Sequence, residues 1–454
     1  MKRLGFERVK ENFSLPLALA PLALIAIGLI NLYSVSSGVG DSFESSHFTK
    51  QLGFATLGIV GLTFIFLFDY RRVKTIAWAL FVISIILLVM VRFFGVHAGG
   101  ATRWLPLGPF RFQPSELTKV SLVFLLAHWF AKRSYPQGLD FKDLIFPLIF
   151  ALIPFVLILK QPDLGTALHL LLTVTPLFFF VRLRPRVLVA LVSLLLTATV
   201  WIFCLGGQNF LLERKIIKPY HLDRFKYYLA PEESPNDQGW QIIQAKSAIG
   251  SGQILGQGFR EGSQQKYGFL PAPETDFAFA ALAEEWGFVG ASLILLLFFS
   301  LFWSALGVVR RSGESFGAYL TVGLISLIFW QMTINIAMVL GIFPVVGIPL
   351  PFISYGGSSL FISLLSVAVI ANVGLNRYVF QEEAVKPNPE VWERGVTQPK
   401  PPVAEPVRRL APLNPDEPEP YPDHRLPHRE PWLKFLVKTF RPPIFPPDDP
   451  SSFN

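Results

Sequence analysis

The sequence predicts an all-α integral membrane protein of about ten transmembrane helices, with a large extracytoplasmic loop between spans seven and eight. Three observations carry that expectation. Hydrophobic residues fill 52% of the 454 positions and charged residues only 16%, where soluble globular chains carry about 25% charged. Apolar runs close to the roughly 20 residues needed to cross hydrocarbon recur along most of the chain. Short basic clusters separate those runs and fall in every second connection.

The first element carries Lys2, Arg3, Arg8 and Lys10 ahead of an apolar stretch from Leu15 to about Ser37. Its length, and the lack of a small-residue cleavage site, mark a retained first span and not a signal peptide. Further runs fall near 49–68, 74–92, 116–131, 142–159, 163–182, 186–206, 284–309, 316–341 and 355–376, the fourth being the shortest. With the N-terminus inside, the inner connections carry Arg71, Arg72 and Lys74, then Lys132 and Arg133, then Arg182, Arg184 and Arg186, then Arg310 and Arg311, and Arg377 follows the last span. Every cluster lands on one side, as the positive-inside rule requires, and an even count puts both termini in the cytoplasm. The net charge of +8 is thereby spent on orientation, which excludes a nucleic-acid-binding stripe. Cys204 is the single cysteine, so an intrachain disulfide is excluded and a cysteine-based metal site is not expected.

The outer connections differ in kind. Residues 93–115 form a Gly- and Pro-containing loop, 207–275 a loop of nearly seventy residues, and 342–354 a Gly/Pro/Ser turn region. A structureless loop as long as the second is uncommon, so interfacial helices are expected in it, Gly239 to Ile249 being one candidate. A single helix from Asp276 to Val309 would run about 50 Å, too long for one crossing, and a break is expected near Gly287. After residue 378 the composition changes. The tail 379–454 holds about half of the chain's 37 prolines and mixes acidic with basic residues, which predicts a disordered cytoplasmic segment. Within it, residues 431–441 interleave Trp432, Phe435, Leu436, Val437 and Phe440 with Lys434, Lys438 and Arg441, a pattern suited equally to the inner leaflet or to a partner protein.

Four polar clusters interrupt the apolar background, all on the outer side. The first runs from Arg103 and Trp104 to Gly108-Pro109-Phe110-Arg111-Phe112-Gln113-Pro114-Ser115-Glu116 and Lys119. Glu116 and Lys119 are three apart and pair on one helix face; a capped helix with a satisfied ion pair explains them, as does a function, since charge at a span is expensive. The second is Lys160-Gln161-Pro162-Asp163-Leu164-Gly165-Thr166, with His169 and Thr173 continuing a polar stripe that must face protein or water. Interhelical hydrogen bonding accounts for the Thr and His positions, while Asp163 points towards function. The third is Phe269-Leu270-Pro271-Ala272-Pro273-Glu274-Thr275-Asp276-Phe277, ending in Glu284-Glu285-Trp286-Gly287. Asp276 is placed either to cap the next helix or to act as a general base at a cavity mouth. The fourth, Pro344 to Ser359, includes Pro349-Leu350-Pro351 and Ser354-Tyr355-Gly356-Gly357. Non-helical backbone there requires burial in protein or a hydrated cavity, and Gln331 and Asn335, four apart, are expected to line the same interior.

In this order, the four clusters resemble the SEDS family (shape, elongation, division and sporulation proteins) over roughly residues 12–378. The Pro344-Val345-Val346-Gly347-Ile348-Pro349-Leu350-Pro351 stretch looks like its elongation-type RodA branch. The resemblance implies a peptidoglycan glycosyltransferase of the bacterial cytoplasmic membrane. Such an enzyme polymerises lipid II at the outer face, releases undecaprenyl pyrophosphate, and works with a class B penicillin-binding protein. It also implies Asp276 as the essential aspartate, acting as general base, and Trp104 as the first-loop tryptophan, with Arg103, Glu116, Lys119 and Asp163 matching conserved positions. Two places depart from the family pattern: Ala272-Pro273-Glu274 lacks a usual basic residue, and Leu105-Pro106 follows Trp104. Arg103, Lys119, Lys160 and Lys246 are the outer-side cations available to the pyrophosphate, and Gln161 and Ser354 complete the expected substrate contacts. The resemblance makes no cofactor certain, and a divalent cation, Mg or Mn, could share the work on the leaving group. The rival expectations are a lipid flippase or transporter, and a non-catalytic scaffold for a penicillin-binding protein.

Overall fold

The computed structural model describes residues 14–36, 46–67, 69–98, 101–108, 110–204, 213, 224, 227–228 and 238–376. The tail 379–454, with its 431–441 segment, and most of the loop 207–237 lie outside the described residues. Each of the ten predicted spans is met by a helix: α1 Leu15–Ser36, α2 Ser46–Leu67, α3 Arg72–Phe94, α4 Pro114–Ala131, α5 Phe141–Lys160, α6 Leu164–Phe180, α7 Pro185–Cys204, α10 Ala278–Arg311, α11 Ser315–Val339 and α12 Gly357–Leu375. Six of them (α1, α3, α5, α10, α11 and α12) are long and apolar enough by themselves to cross a membrane. The chain is a multi-pass helical membrane protein.

Local chemistry sets the helix ends. Pro114 opens α4 at a position where its missing N–H costs nothing. Asp140 and Asp143 form a reciprocal capping box at the start of α5. α11 is apolar on every side, and such a helix belongs in the centre of a bundle; it packs against α4, α6, α10 and α12. α4 is also buried along most of its length. It therefore tolerates Glu116, Thr118, Lys119 and Ser121, which a lipid-facing helix would not.

The basic turns gather at one end. Glu314, in the α10–α11 turn, forms a short ion pair with Lys74, a second with Arg71 at 3.6 Å, and accepts a hydrogen bond from Tyr70 at 3.2 Å. Arg184, in the α6–α7 turn, and Arg186, in the first turn of α7, both pair with Asp140 in the α4–α5 turn. A β-bridge between Leu139 and Leu183 joins the same two turns.

The connections at the other end are structured. The first outer loop folds as a small antiparallel meander, β1 Val96–Ala98, β2 Ala101–Leu107 and β3 Phe110–Phe112, with Gly108 turning the corner at φ +60°. This sheet is confined to one loop, and the spans are all helical. The second half of the long loop contains α8, Gln238–Gly252, where a helix was expected, and the short α9, Ser263–Lys266.

The expected break in α10 falls at Gly287, whose φ of +64° is open to glycine. A break orphans backbone groups on either side, and residues 253–258 satisfy them. Gln257 and Gly258 donate to the carbonyls of Glu284 and Glu285 at 2.9 and 3.0 Å, while Phe288 and Val289 donate to Gln253 and Ile254 at 2.9 and 3.1 Å.

Candidate active site

Asp276 lies in the turn leading into α10. The helix takes Phe277 as its N-cap without a side-chain capping bond, so the carboxylate is not spent on capping. Its backbone is fixed instead: Asn335 on α11 donates to the Asp276 carbonyl at 2.9 Å and to that of Ile348 at 2.7 Å. The polypeptide from Pro344 to Tyr355 is thereby tied to the same turn. Tyr355 N donates to Glu274 O at 2.8 Å, and Ser354 Oγ donates to Thr275 O at 2.6 Å while accepting from Leu350 N at 2.9 Å. Gln331 Nε2 donates to Pro349 O at 3.0 Å and Ser359 Oγ at 2.7 Å. These bonds supply the polar satisfaction that non-helical backbone needs inside a membrane protein.

Gly347 explains how close the two segments come. It has φ +68°, and a Cβ there would sit 3.4 Å from Asp276 Oδ2. On another side, Gly165 at the start of α6 leaves room for only 2.6 Å between its would-be Cβ and Val346 O. Residues 345–347 are thus held between the Asp276 turn and the head of α6.

Two arginines act on the carboxylate. Burial pushes the Asp276 pKa up to about 6, Glu274 and Asp163 add to the rise, and Arg224 and Arg103 oppose it. Arg224 comes from the long loop and donates to Val345 O at 2.6 Å. Burial and the neighbouring Arg103 lower its own pKa to about 10. Arg103, on β2, donates to Pro162 O at 2.8 Å and pairs with Asp163 Oδ2 at 3.4 Å. Asp163 also caps α6, accepting from Thr166 N at 3.1 Å and Thr166 Oγ1 at 2.9 Å. The result is two carboxylates and two guanidinium groups, drawn from four parts of the chain and electrostatically coupled.

The other expected residues fall elsewhere. Lys119 is 1% exposed and Glu116 4% exposed. Lys119 Nζ donates to Glu116 Oε1 at 2.8 Å and contacts His169 Nδ1 at 3.0 Å, while His169 Nε2 contacts Leu327 O at 2.9 Å. A carbonyl only accepts, so Nε2 carries the proton and Nδ1 accepts from Lys119. This is an interhelical network joining α4, α6 and α11. Trp104 is half-buried on β2 in register with Val96. Gln161 donates to Leu88 O at 2.9 Å, and Lys160 is exposed beside it. Lys246 is exposed on α8 and lies against Gly341. Among the described residues no three His, Cys, Asp or Glu side chains cluster in a way that could hold a metal.

Sequence reasoning missed Arg224. It sits in a loop without periodicity, and its only signal was a cation on the outer side, a property shared with Lys246.

Residues 15–378 match the family model described as cell cycle protein, the FtsW, RodA and SpoVE group. Among curated relatives, the chain is 37% identical to Stage V sporulation protein E of Bacillus subtilis, covering 80% of this chain and 97% of that one. It is 31% identical to the peptidoglycan glycosyltransferase RodA of Treponema pallidum over 80% and 98% of the two chains. Against the peptidoglycan glycosyltransferase MrdB of Escherichia coli K12 the identity is 34%, over 78% and 92%. Among solved structures, a chain from work on the structural coordination of polymerization and crosslinking by a peptidoglycan synthase complex aligns with TM-score 0.67 and 29% identity, over 81% of this chain and 99% of that one. The rod shape determining protein RodA of Thermus thermophilus aligns with TM-score 0.58 and 26% identity, over 81% and 98%.

Proposed function

The chain belongs to the FtsW, RodA and SpoVE family of cell cycle proteins, and from that premise we propose that it is a peptidoglycan glycosyltransferase of the RodA type, with Asp276 as its general base. It polymerises lipid II at the outer face of the bacterial cytoplasmic membrane during elongation and shape maintenance. The observation that carries this reading is a carboxylate not spent on capping at the head of α10 and electrostatically coupled to Arg224 and Arg103. Burial brings its pKa to about 6, close to the pH at which a base must work.

In the reaction, the acceptor's 4-hydroxyl gives its proton to Asp276 as its oxygen attacks the donor's anomeric carbon. The bond from that carbon to the pyrophosphate breaks, and the electron pair leaves with undecaprenyl pyrophosphate. One inverting displacement converts an α-linked diphosphate into a β-1,4 bond, so no covalent enzyme intermediate is needed. Arg103 and Arg224 supply positive charge where the leaving group becomes more anionic. Both are already anchored to backbone carbonyls, at Pro162 and Val345, so little reorganisation accompanies the reaction. Lys119, closed off by Glu116 and His169, serves as interior support for the site and not as a substrate contact.

The topology is ten crossings, with both termini and the basic turns in the cytoplasm. Its support is that the turns carrying Lys74, Arg184 and Arg186 are cross-linked by ion pairs at the end opposite Asp276. The crosslinking partner is a class B penicillin-binding protein. The deciding experiment is purified wild type and Asp276→Asn given lipid II, with glycan strands as readout. Strands from wild type alone support the assignment; equal strands from both remove Asp276 as the base. Absence of strands from wild type, with lipid II moved across vesicles, would favour a transporter.

A further inference from the structure

A cavity lies between the basic-turn ends of α1, α2, α10 and α12, at the end of the bundle opposite Asp276. Its volume is about 140 Å³ and its walls include Leu17, Leu22, Ile59, Val308, Leu364 and Val367. The lining is apolar but for Ser14 and Thr63. Leu22 and Ile59 are exposed at its side, so it opens laterally between α1 and α2, towards the hydrocarbon. From Ser14 to Leu22 the wall extends about 12 Å along α1 at the helical rise. That shape suits a narrow apolar chain lying parallel to the helices.

The open end is cationic. Arg311 stands three residues beyond Val308 on the same face of α10, and both Arg310 and Arg311 are exposed. Neither forms an ion pair among the described residues. Arg310 lies 5.6 Å from the ring centre of Trp303, an exposed side chain of the type that marks a membrane interface. Nearby in sequence, Arg8 and Lys10 precede Ser14, and Arg377 follows Leu375.

From an apolar slot open to lipid and a cationic rim at its end, we infer that this cavity holds one acyl chain of an anionic glycerophospholipid, with its phosphate at Arg310 and Arg311. The slot sits at the foot of α1, α2, α10 and α12. The opposite ends of two of these helices bear on the active site: α2 through Gln51 to the Ser354 carbonyl, and α10 through the Asp276 turn. A lipid seated there braces the helices that frame the chemistry. Its readout is binding, so it stands or falls independently of the glycosyltransferase assignment.

The test is native mass spectrometry of the full-length protein, stripped of lipid in detergent and offered phosphatidylglycerol, phosphatidylcholine with the same acyl chains, or a polyprenyl phosphate. The expectation is one phosphatidylglycerol retained, with at least about tenfold preference over phosphatidylcholine. Ala18→Phe and, separately, Ala371→Phe should fill the slot from different helices and remove that adduct. Replacing Arg310 and Arg311 by Gln should weaken retention about fivefold per charge while leaving the slot intact. Equal retention of phosphatidylcholine would overturn the inference, as would an adduct surviving in both Phe variants. Preference for a polyprenyl phosphate over phosphatidylglycerol would overturn it as well. Since the Gln replacements lie on the exposed rim, they remain informative if a Phe variant fails to fold.

Discussion

Glu116 with Lys119 in α4, and Asp276 with Arg224 and Arg103 at the head of α10, are both carboxylates beside cations in a membrane-spanning bundle. In α4 the lysine is enclosed by two partners, Glu116 and His169, and the histidine is in turn held by Leu327. Around Asp276 the hydrogen bonds go to backbone carbonyls, while among the described residues the carboxylate itself accepts none. Closed around Lys119, although Glu116 Oε2 has no hydrogen-bond partner among the described residues, this network ties three helices together. The Asp276 carboxylate, desolvated and electrostatically coupled to anchored cations, has lone pairs that no described residue occupies, which is what the proposed role as a base requires. Similar charge types therefore do different work, and the difference lies in how many partners are already taken.

The largest expected effect separates the two directly. Asp276→Asn should lower the rate of lipid II polymerisation by about 10²–10⁴-fold, measured as glycan strand formation, with no loss of thermal stability. The mirror experiment is Lys119→Ala, which strands a buried carboxylate. It should reduce stability by roughly 3–5 kcal/mol, read by thermal unfolding in detergent, and Glu116→Gln with Lys119→Met should recover much of that. If Lys119→Ala left stability intact, the closed network would not be structural.

Arg224→Gln should come next, with about a 10²-fold fall in kcat from removing one preorganised charge. It also has a pH signature. Burial raises the Asp276 pKa to about 6 and Arg224 pulls it down, so the active, ionised form accumulates as pH rises. Wild-type activity should climb tenfold per unit below about pH 6 and level off above it. Without Arg224 that midpoint should move upward, whereas a merely structural arginine would lower the rate and leave the midpoint in place. The smallest effect is expected for Ser354→Ala, at about 1–3 kcal/mol of stability from unmade buried hydrogen bonds to Leu350 and Thr275, measured by thermal unfolding.

Much of this was legible from residues alone. The helix in the long outer loop was expected over Gly239 to Ile249 and is found as Gln238–Gly252; the break in α10 falls at Gly287 as helix length required. Asp276 stood out because an acidic residue closed a polar outer loop, although sequence could not separate base from cap. The meander in the first outer loop was not foreseen, since two of its three strands have only three residues and show no usable alternation. Lys119 and Lys246 looked alike as outer-side cations. One is enclosed between helices and the other lies exposed on α8.

The sequence by itself determined which segments are apolar enough to cross, the short basic clusters that fall between them, and the polar clusters from which a site could be built. These follow from composition read locally, because hydrocarbon imposes its demands on each segment separately. Only the tertiary structure decided which charges are neighbours: it brought Arg224 from an aperiodic loop towards Asp276 and paired Lys119 with a histidine fifty residues away. Coulomb energy and desolvation depend on distances through space, and those are set by how the helices pack.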